Sequence, residues 1–121
     1  MSHTHLIIST SNDLLRIAAG HILYISSEGN YCNFLQTGGE IRLVTYQLGQ
    51  VERMIAEQLP EFSQHFVRIG KSLIINLNYV YYIHPGQQKL VLVDNQLNRY
   101  SLSASKEALK ALKELIEKNQ L

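Results

Sequence analysis

Histidine, cysteine and carboxylate side chains are the groups of this chain that could bind a metal or act as nucleophiles. A metal site needs several of them at close spacing, but the five histidines are dispersed and only His3 and His5 lie near one another, at the terminus. The chain also lacks a phosphate-cradling glycine loop, a nucleophile elbow and a zinc-protease motif. We therefore predict no metal, no cofactor, no small-molecule substrate and no enzymatic activity.

The single cysteine and the seven tyrosines have structural interpretations that compete with functional ones. Cys32 cannot form an internal disulfide, which agrees with a reducing compartment. No charged helper lies near it in sequence, so we predict a buried or half-buried structural thiol. The tyrosines can stack on single-stranded bases, contact a partner protein, or simply pack in strands. Strand packing is favoured because the basic residues are not interleaved among them.

Alternating and helical hydrophobic patterns predict the elements that position these side chains. The spacing of Leu48, Val51, Ile55 and Leu59 predicts an amphipathic helix that ends at Pro60. A second helix, capped by Ser105, is predicted at the end of the chain. Asp94-Asn95 is predicted to form a tight hairpin turn. Strands are predicted at 6–9, 14–17, 22–26, 31–36, 40–45, 66–69, 72–75, 79–83, 89–93 and 97–102.

These elements predict a mainly β protein with one helix in the middle and one at the C-terminal end. We expect one domain over residues 14–121, preceded by a segment, 1–13, that can add an extra edge strand. The longest apolar stretch, residues 73–83, is too short to cross a bilayer, and the N-terminus does not resemble a secretory signal. A cytoplasmic location is therefore expected.

The net charge of +1 argues weakly against nucleic-acid binding, which usually accompanies a basic excess. The acidic residues, however, fall largely in the two predicted helices. Arg68, Lys71 and Arg99 remain in the strand and loop region. A local basic face is compatible with this distribution.

Two stretches are more specific than any of these features. Residues 21–31, HILYISSEGNY, resemble the strand-and-loop pattern I-x-Y-I-E-A-x-G-N-Y of the LytTR family. Residues 66–80, FVRIGKSLIINLNYV, resemble that family's F-x-R-V-H-R-S-Y-I-V-N-L-x-x-I. The family's hairpin and its P-V-S-R segment before a final helix are matched by residues 90–93 and 100–104. The resemblance covers residues 14–115, and the joint order of the motifs carries it.

The resemblance implies an elongated fold of small stacked antiparallel sheets whose loops enter successive major grooves of double-stranded DNA. It implies a bacterial transcription regulator or the effector domain of a two-component response regulator that reads DNA sequence. Where the target is a direct repeat, it implies a homodimer on DNA. An exposed edge at residues 6–9 would suit pairing with a second copy. The DNA-contacting residues that it implies are Asn30, Tyr31, Arg68, Lys71, Ser72, Ser103, Ser105 and Lys106.

The chain departs from the family pattern at two places. Gly70-Lys71 stands where the family has His-Arg, and Ala104 stands at the arginine of its S-R, so two side chains suited to bidentate guanine contact are absent. Four alternatives remain open: Lys106 or Arg99 substitutes, the protein reads another sequence, it binds more weakly, or it has lost direct base reading. The alternative function is a protein-interaction module that keeps the fold but has lost direct base reading.

Several matched residues also have structural interpretations. Asn76 is predicted to close a turn between two strands, Gly29 to permit a backbone turn, and Ser105 to cap the last helix. A cap does not exclude a phosphate contact. Lys71 is left open between a DNA contact and a solvated lysine.

Overall fold

The computed structural model describes residues 4–119, so His3, one of the two neighbouring histidines at the terminus, lies outside the described residues. This part of the chain contains ten strands and two helices. The strands are β1 (His5–Ser9), β2 (Leu14–Ala18), β3 (Ile22–Glu28), β4 (Tyr31–Gln36), β5 (Ile41–Val44), β6 (Phe66–Ile69), β7 (Leu73–Asn76), β8 (Val80–His84), β9 (Lys89–Val93) and β10 (Arg99–Ser103); the helices are α1 (Leu48–Gln58) and α2 (Lys106–Asn119).

The strands form three antiparallel sheets, which confirms the mainly β fold class. A two-stranded hairpin joins β1 and β2, a three-stranded sheet has the order β10-β9-β8, and a five-stranded sheet has the order β5-β4-β3-β7-β6. In the five-stranded sheet β3 pairs with its neighbour β4 and, at Ile25↔Ile74, with the distant β7. This long-range pairing brings the two family motifs into one sheet.

Alternation along the strands gives the five-stranded sheet two apolar faces, each with its own core. On β7, Ile74 faces the core built with α1 and the β1–β2 hairpin, whereas Leu73 and Ile75 face the core built with α2 and the three-stranded sheet. The central sheet is therefore covered on both sides. Cys32 is fully buried in the first core, as predicted for a structural thiol.

Two predicted boundaries are wrong because side chains of the chain stabilise local turns. The Asn76 side chain accepts a hydrogen bond from the Asn78 N–H at 3.0 Å, and the resulting 3₁₀ turn at Leu77–Tyr79 delays the start of β8 to Val80. The predicted tight turn at Asp94-Asn95 is a wider loop, closed by a bond of 3.1 Å from the Asp94 N–H to the Asn98 carbonyl. The Asp94 carboxylate favours the wider loop because it accepts bonds of 2.9 Å from the N–H groups of Gln96 and Asn98.

The outer edge of β1 is not open at its centre. The Gln58 side-chain oxygen accepts from the Ile7 N–H at 2.8 Å, and its amide donates to the Ile7 carbonyl at 2.9 Å. Gln58, at the end of α1, thus occupies the two groups that an added strand would need. The expectation that residues 6–9 offer a pairing edge to a second copy is therefore wrong at Ile7.

Candidate nucleic-acid interface

The β3–β4 turn presents the first predicted contact residues. Tyr31 pairs with Glu28, so Gly29 and Asn30 form the tip, and Gly29 adopts a φ of +68°, a region that glycine enters without steric cost. Asn30 and Tyr31 are both exposed. The turn therefore presents an amide and a phenol to solvent.

The β6–β7 turn presents the second predicted pair, Lys71 and Ser72. The register Ile69↔Leu73 closes the turn, Gly70 has a φ of +62°, and both predicted side chains are exposed. The Ser27 N–H donates to the Ser72 carbonyl at 2.8 Å. Because Ser27 lies at the end of β3, this bond places the two turns at the same end of the five-stranded sheet.

The β10–α2 junction, Ser103 to Lys106, lies beside the second turn. Residues of both segments line one small recess of 140 Å³ between them, with Gly70 and Ser72 on one side and Ser103 and Ser105 on the other. The Ser105 hydroxyl accepts from the Ala108 N–H at 3.1 Å, which confirms the predicted helix cap. Ser103, Ser105 and Lys106 are exposed.

Three segments distant in sequence therefore form one polar surface, which we call the turn surface: Asn30, Tyr31, Lys71, Ser72, Ser103, Ser105 and Lys106. Within residues 4–119 neither lysine of this surface has a carboxylate within ion-pair distance. Glu28 and Glu107, which are exposed next to it, reduce its positive potential. The turn surface is consequently polar and only mildly basic.

Arg68, the remaining predicted site residue, is half-buried and held inside the protein. Its guanidinium forms a 3.0 Å ion pair with Glu52 on α1 and donates to the Lys71 carbonyl at 2.9 Å. Arg68 thus ties the β6–β7 turn to α1. Sequence reasoning missed Glu52 as its partner because the two lie on separate elements and nothing in their spacing indicates contact.

The groups with shifted pKa values that bear on the site, Asp94 and Cys32, are buried and are not part of the turn surface. Burial alone would raise the pKa of Asp94, but hydrogen bonds donated chiefly by the Gly38 and Asn98 N–H groups outweigh burial and lower it to about 2. This carboxylate ties the β4–β5 turn to the β9–β10 loop. Burial raises the pKa of the Cys32 thiol, and the positive charge of Arg68 offsets only part of that effect, so the thiol is not activated.

Two further properties of residues 4–119 bear on function. They contain no cluster of three or more histidine, cysteine, aspartate or glutamate side chains placed to hold a metal ion. No helix among them is long and apolar enough to span a membrane.

The three small sheets and the polar turns at one end of the five-stranded sheet define the class of protein. It is a mainly β domain that exposes its polar residues on loops. The chain belongs to the LytTR family of DNA-binding domains, whose profile matches residues 12–117. It is therefore a DNA-binding domain. The fold is similar to that of the LytTr DNA-binding domain of a protein from Bacillus cereus described as a methyl-accepting/DNA response regulator, with a TM-score of 0.63 and 15% identity over 95% of this chain and 98% of that one. No curated protein sequence matches the chain.

Proposed function

We propose that this domain recognises a specific sequence in double-stranded DNA and thereby regulates transcription. The turn surface enters the major groove in this proposal, with the two sheet turns and the β10–α2 junction as three successive contacts. Similarity to the domain of a response regulator supports a role as the effector of such a protein or as a stand-alone regulator.

The observation that carries the proposal is the convergence of the three segments. About forty residues of chain separate the first segment from the second and about thirty separate the second from the third, yet the Ser27–Ser72 bond and the shared recess bring them side by side. Their side chains are exposed and polar, and none is used to stabilise the core. A stable scaffold that presents exposed polar groups on one surface suits a binding role.

Each contact has a chemistry suited to DNA. The Asn30 amide can donate to and accept from base edges, and Lys71 and Lys106 supply positive charge to phosphate or guanine. Ser105 caps α2 through the Ala108 N–H, and the first N–H groups of a helix, which have no partners within it, favour a phosphate. In this proposal Arg68 orients the β6–β7 turn through the Lys71 carbonyl and does not itself contact a base.

Partners other than DNA follow from the same proposal. We expect the domain to bind its target as a homodimer when the target is a repeat, without a small-molecule substrate and without catalysis. A regulator of transcription works in the cytoplasm of a bacterium. The reducing conditions there keep an unpaired cysteine such as Cys32 in its thiol form.

The test is a selection of random duplexes on the purified protein at moderate salt, followed by affinity measurement for Lys71→Ala. The matched control is Lys118→Ala, an exposed lysine roughly 18 Å along α2 from Lys106. We expect one enriched motif, and a Lys71→Ala affinity lower by roughly tenfold, the lower end of the range for one direct contact. The control should bind like the wild type.

Failure to enrich any duplex at any salt, with the protein folded, would contradict this proposal. It would favour the protein-interaction module, for which the absence of a side chain at Gly70 and the short one at Ala104 are the supporting observations. Equal losses in Lys71→Ala and Lys118→Ala would place the second contact elsewhere.

A further inference from the structure

The three-stranded sheet has an outer face, which shares only Ser103 with the turn surface. On β9, Leu90 and Leu92 point into the second core. Because side chains alternate along a strand, Lys89, Val91 and Val93 point to the opposite side, where Lys89 is exposed, Val93 is half-buried and Val91 is buried between its neighbours. The same alternation on β10 directs Tyr100 and Leu102 inward and leaves Arg99, Ser101 and Ser103 exposed.

The strand register defines which side chains share this outer face. Lys89 lies between His84 on β8 and Ser103 on β10, and Val91 lies between Tyr82 and Ser101. Arg99 pairs with Val93 at the far end. We call this set the outer sheet face: Tyr82, His84, Lys89, Ser101, Ser103 and Arg99, with Tyr81 beside Arg99.

This face carries positive charge without any negative charge. Strands β8, β9 and β10 contain no aspartate or glutamate. The nearest acid in sequence, Asp94, is buried and its carboxylate is already satisfied by donors that include the Tyr100 hydroxyl at 3.2 Å. In a chain whose net charge is only +1, a face free of acids stands out.

The two cations of the face are available for a ligand. Within residues 4–119 neither Lys89 nor Arg99 forms an ion pair. The Arg99 guanidinium lies 4.8 Å from the centroid of the exposed Tyr81 ring. A cation–π contact of this kind orients the guanidinium over the ring while its N–H groups remain free to donate.

The position of the outer sheet face next to the turn surface indicates which ligand it binds. Ser103 belongs both to the turn surface and to the row that contains His84 and Lys89, and the Ala104 N–H donates to the Gln88 carbonyl at 3.3 Å. The outer sheet face therefore begins where the third contact of the turn surface ends. It continues for about 13 Å along β9, from Lys89 to Val93.

We infer that the outer sheet face is a second, sequence-independent surface for double-stranded DNA, which binds the phosphate backbone beyond the third contact. This inference rests on the proposed function and extends its binding site. Lys89 and Arg99 neutralise phosphates, and the serine hydroxyls donate to phosphate oxygens. Base reading stays with the turn surface in this inference.

The experiment compares the salt dependence of DNA binding for the wild type, for Lys89→Ala/Arg99→Ala, and for a control of equal charge, Arg53→Ala/Lys118→Ala. Both control residues are exposed and lie on helices, outside the outer sheet face. The probes are the duplex enriched by selection and a duplex of unrelated sequence. Each lost phosphate contact lowers the slope of log affinity against log salt by about 0.9.

We expect the slope of Lys89→Ala/Arg99→Ala to fall by roughly two on both probes, with the enriched motif unchanged. Trimming the flank beyond the third contact should reduce wild-type affinity and leave the variant unaffected. A variant slope equal to that of the control overturns the inference, and so does equal sensitivity of both proteins to trimming.

The outcomes separate this inference from the proposed function. Binding that depends on Lys71 but not on Lys89 and Arg99 refutes the outer sheet face alone. A reduced slope in Lys89→Ala/Arg99→Ala without any enriched motif supports the face and refutes sequence-specific reading. Absence of binding to either duplex by the folded wild type overturns both.

Discussion

Replacement of Asn76 by alanine should destabilise the domain strongly while leaving the turn surface intact. The side chain is 2% exposed, and its amide donates to the Ile22 carbonyl at 2.9 Å while its oxygen accepts from the Asn78 N–H at 3.0 Å. Asn76→Ala leaves both backbone groups without these partners. Asn76 therefore joins the end of β7 to the start of β3 and shapes the turn that leads to β8.

The expected loss follows from these two contacts. A buried polar group left unsatisfied costs about 1–3 kcal/mol, and Ile22 is fully buried, so its carbonyl has little access to water. The Asn78 N–H is only partly buried and loses less. With a small contribution from the cavity, we expect the free energy of unfolding to fall by about 3 kcal/mol, a large part of the ~5–15 kcal/mol typical of a domain.

Urea denaturation followed by far-ultraviolet circular dichroism measures this loss. Asn78→Ala is the matched control, because its side chain is exposed and makes no hydrogen bond within residues 4–119. The control should lose less than about 0.5 kcal/mol. A loss below 1 kcal/mol in Asn76→Ala, or weaker DNA binding at unchanged stability, would refute the structural role and return Asn76 to the candidates for DNA contact.

Two further predictions concern contacts that join separate parts of the fold. Gln58→Ala removes both bonds to the Ile7 backbone, so the β1–β2 hairpin should exchange its amide hydrogens faster while the five-stranded sheet stays protected; uniform exchange across the domain would argue against this latch. The pKa of Asp94 is lowered from 3.8 to about 2, so its stabilising effect is complete above pH 4 and disappears as the pH falls towards 2. Acid titration should accordingly show that Asp94→Asn is less stable than the wild type at pH 6 and that the difference narrows below pH 4, whereas a constant difference would contradict the assigned pKa.

The elements of the fold were largely predictable, because each carries a local pattern. Leu48, Val51 and Ile55 recur at helical spacing and are all buried on one side of α1. The pairing of β3 with β7 was not predictable from local patterns, since it joins strands about fifty residues apart and depends on tertiary packing. The wide Asp94 loop was missed for a similar reason: its carboxylate is satisfied partly by Gly38, from another turn.

The sequence predicted which residues lie at the candidate site, but it did not predict what each side chain contacts. The ordered motifs identified exposed residues such as Asn30 and Lys71, and the structure places both on turns at one end. Arg68 carries the same charge as Lys71, three residues away, yet it lies half-buried against Glu52. A basic residue in a strand exposes its charge only if no acid packs over it, and that depends on which helix covers the sheet.

The structure explains why this chain departs from the family pattern at Gly70 and Ala104. Gly70 has a φ of +62°, where a side chain costs roughly 1–2 kcal/mol, so glycine relieves strain in the turn and gives up a base-reading side chain there. Ala104 packs against the second core, while Ser103 and Ser105 on either side are exposed. Direct reading at these two contacts would then rest on short hydroxyl groups and on Lys71. Such contacts discriminate bases weakly, which makes backbone contacts of the kind inferred for the outer sheet face more important to affinity.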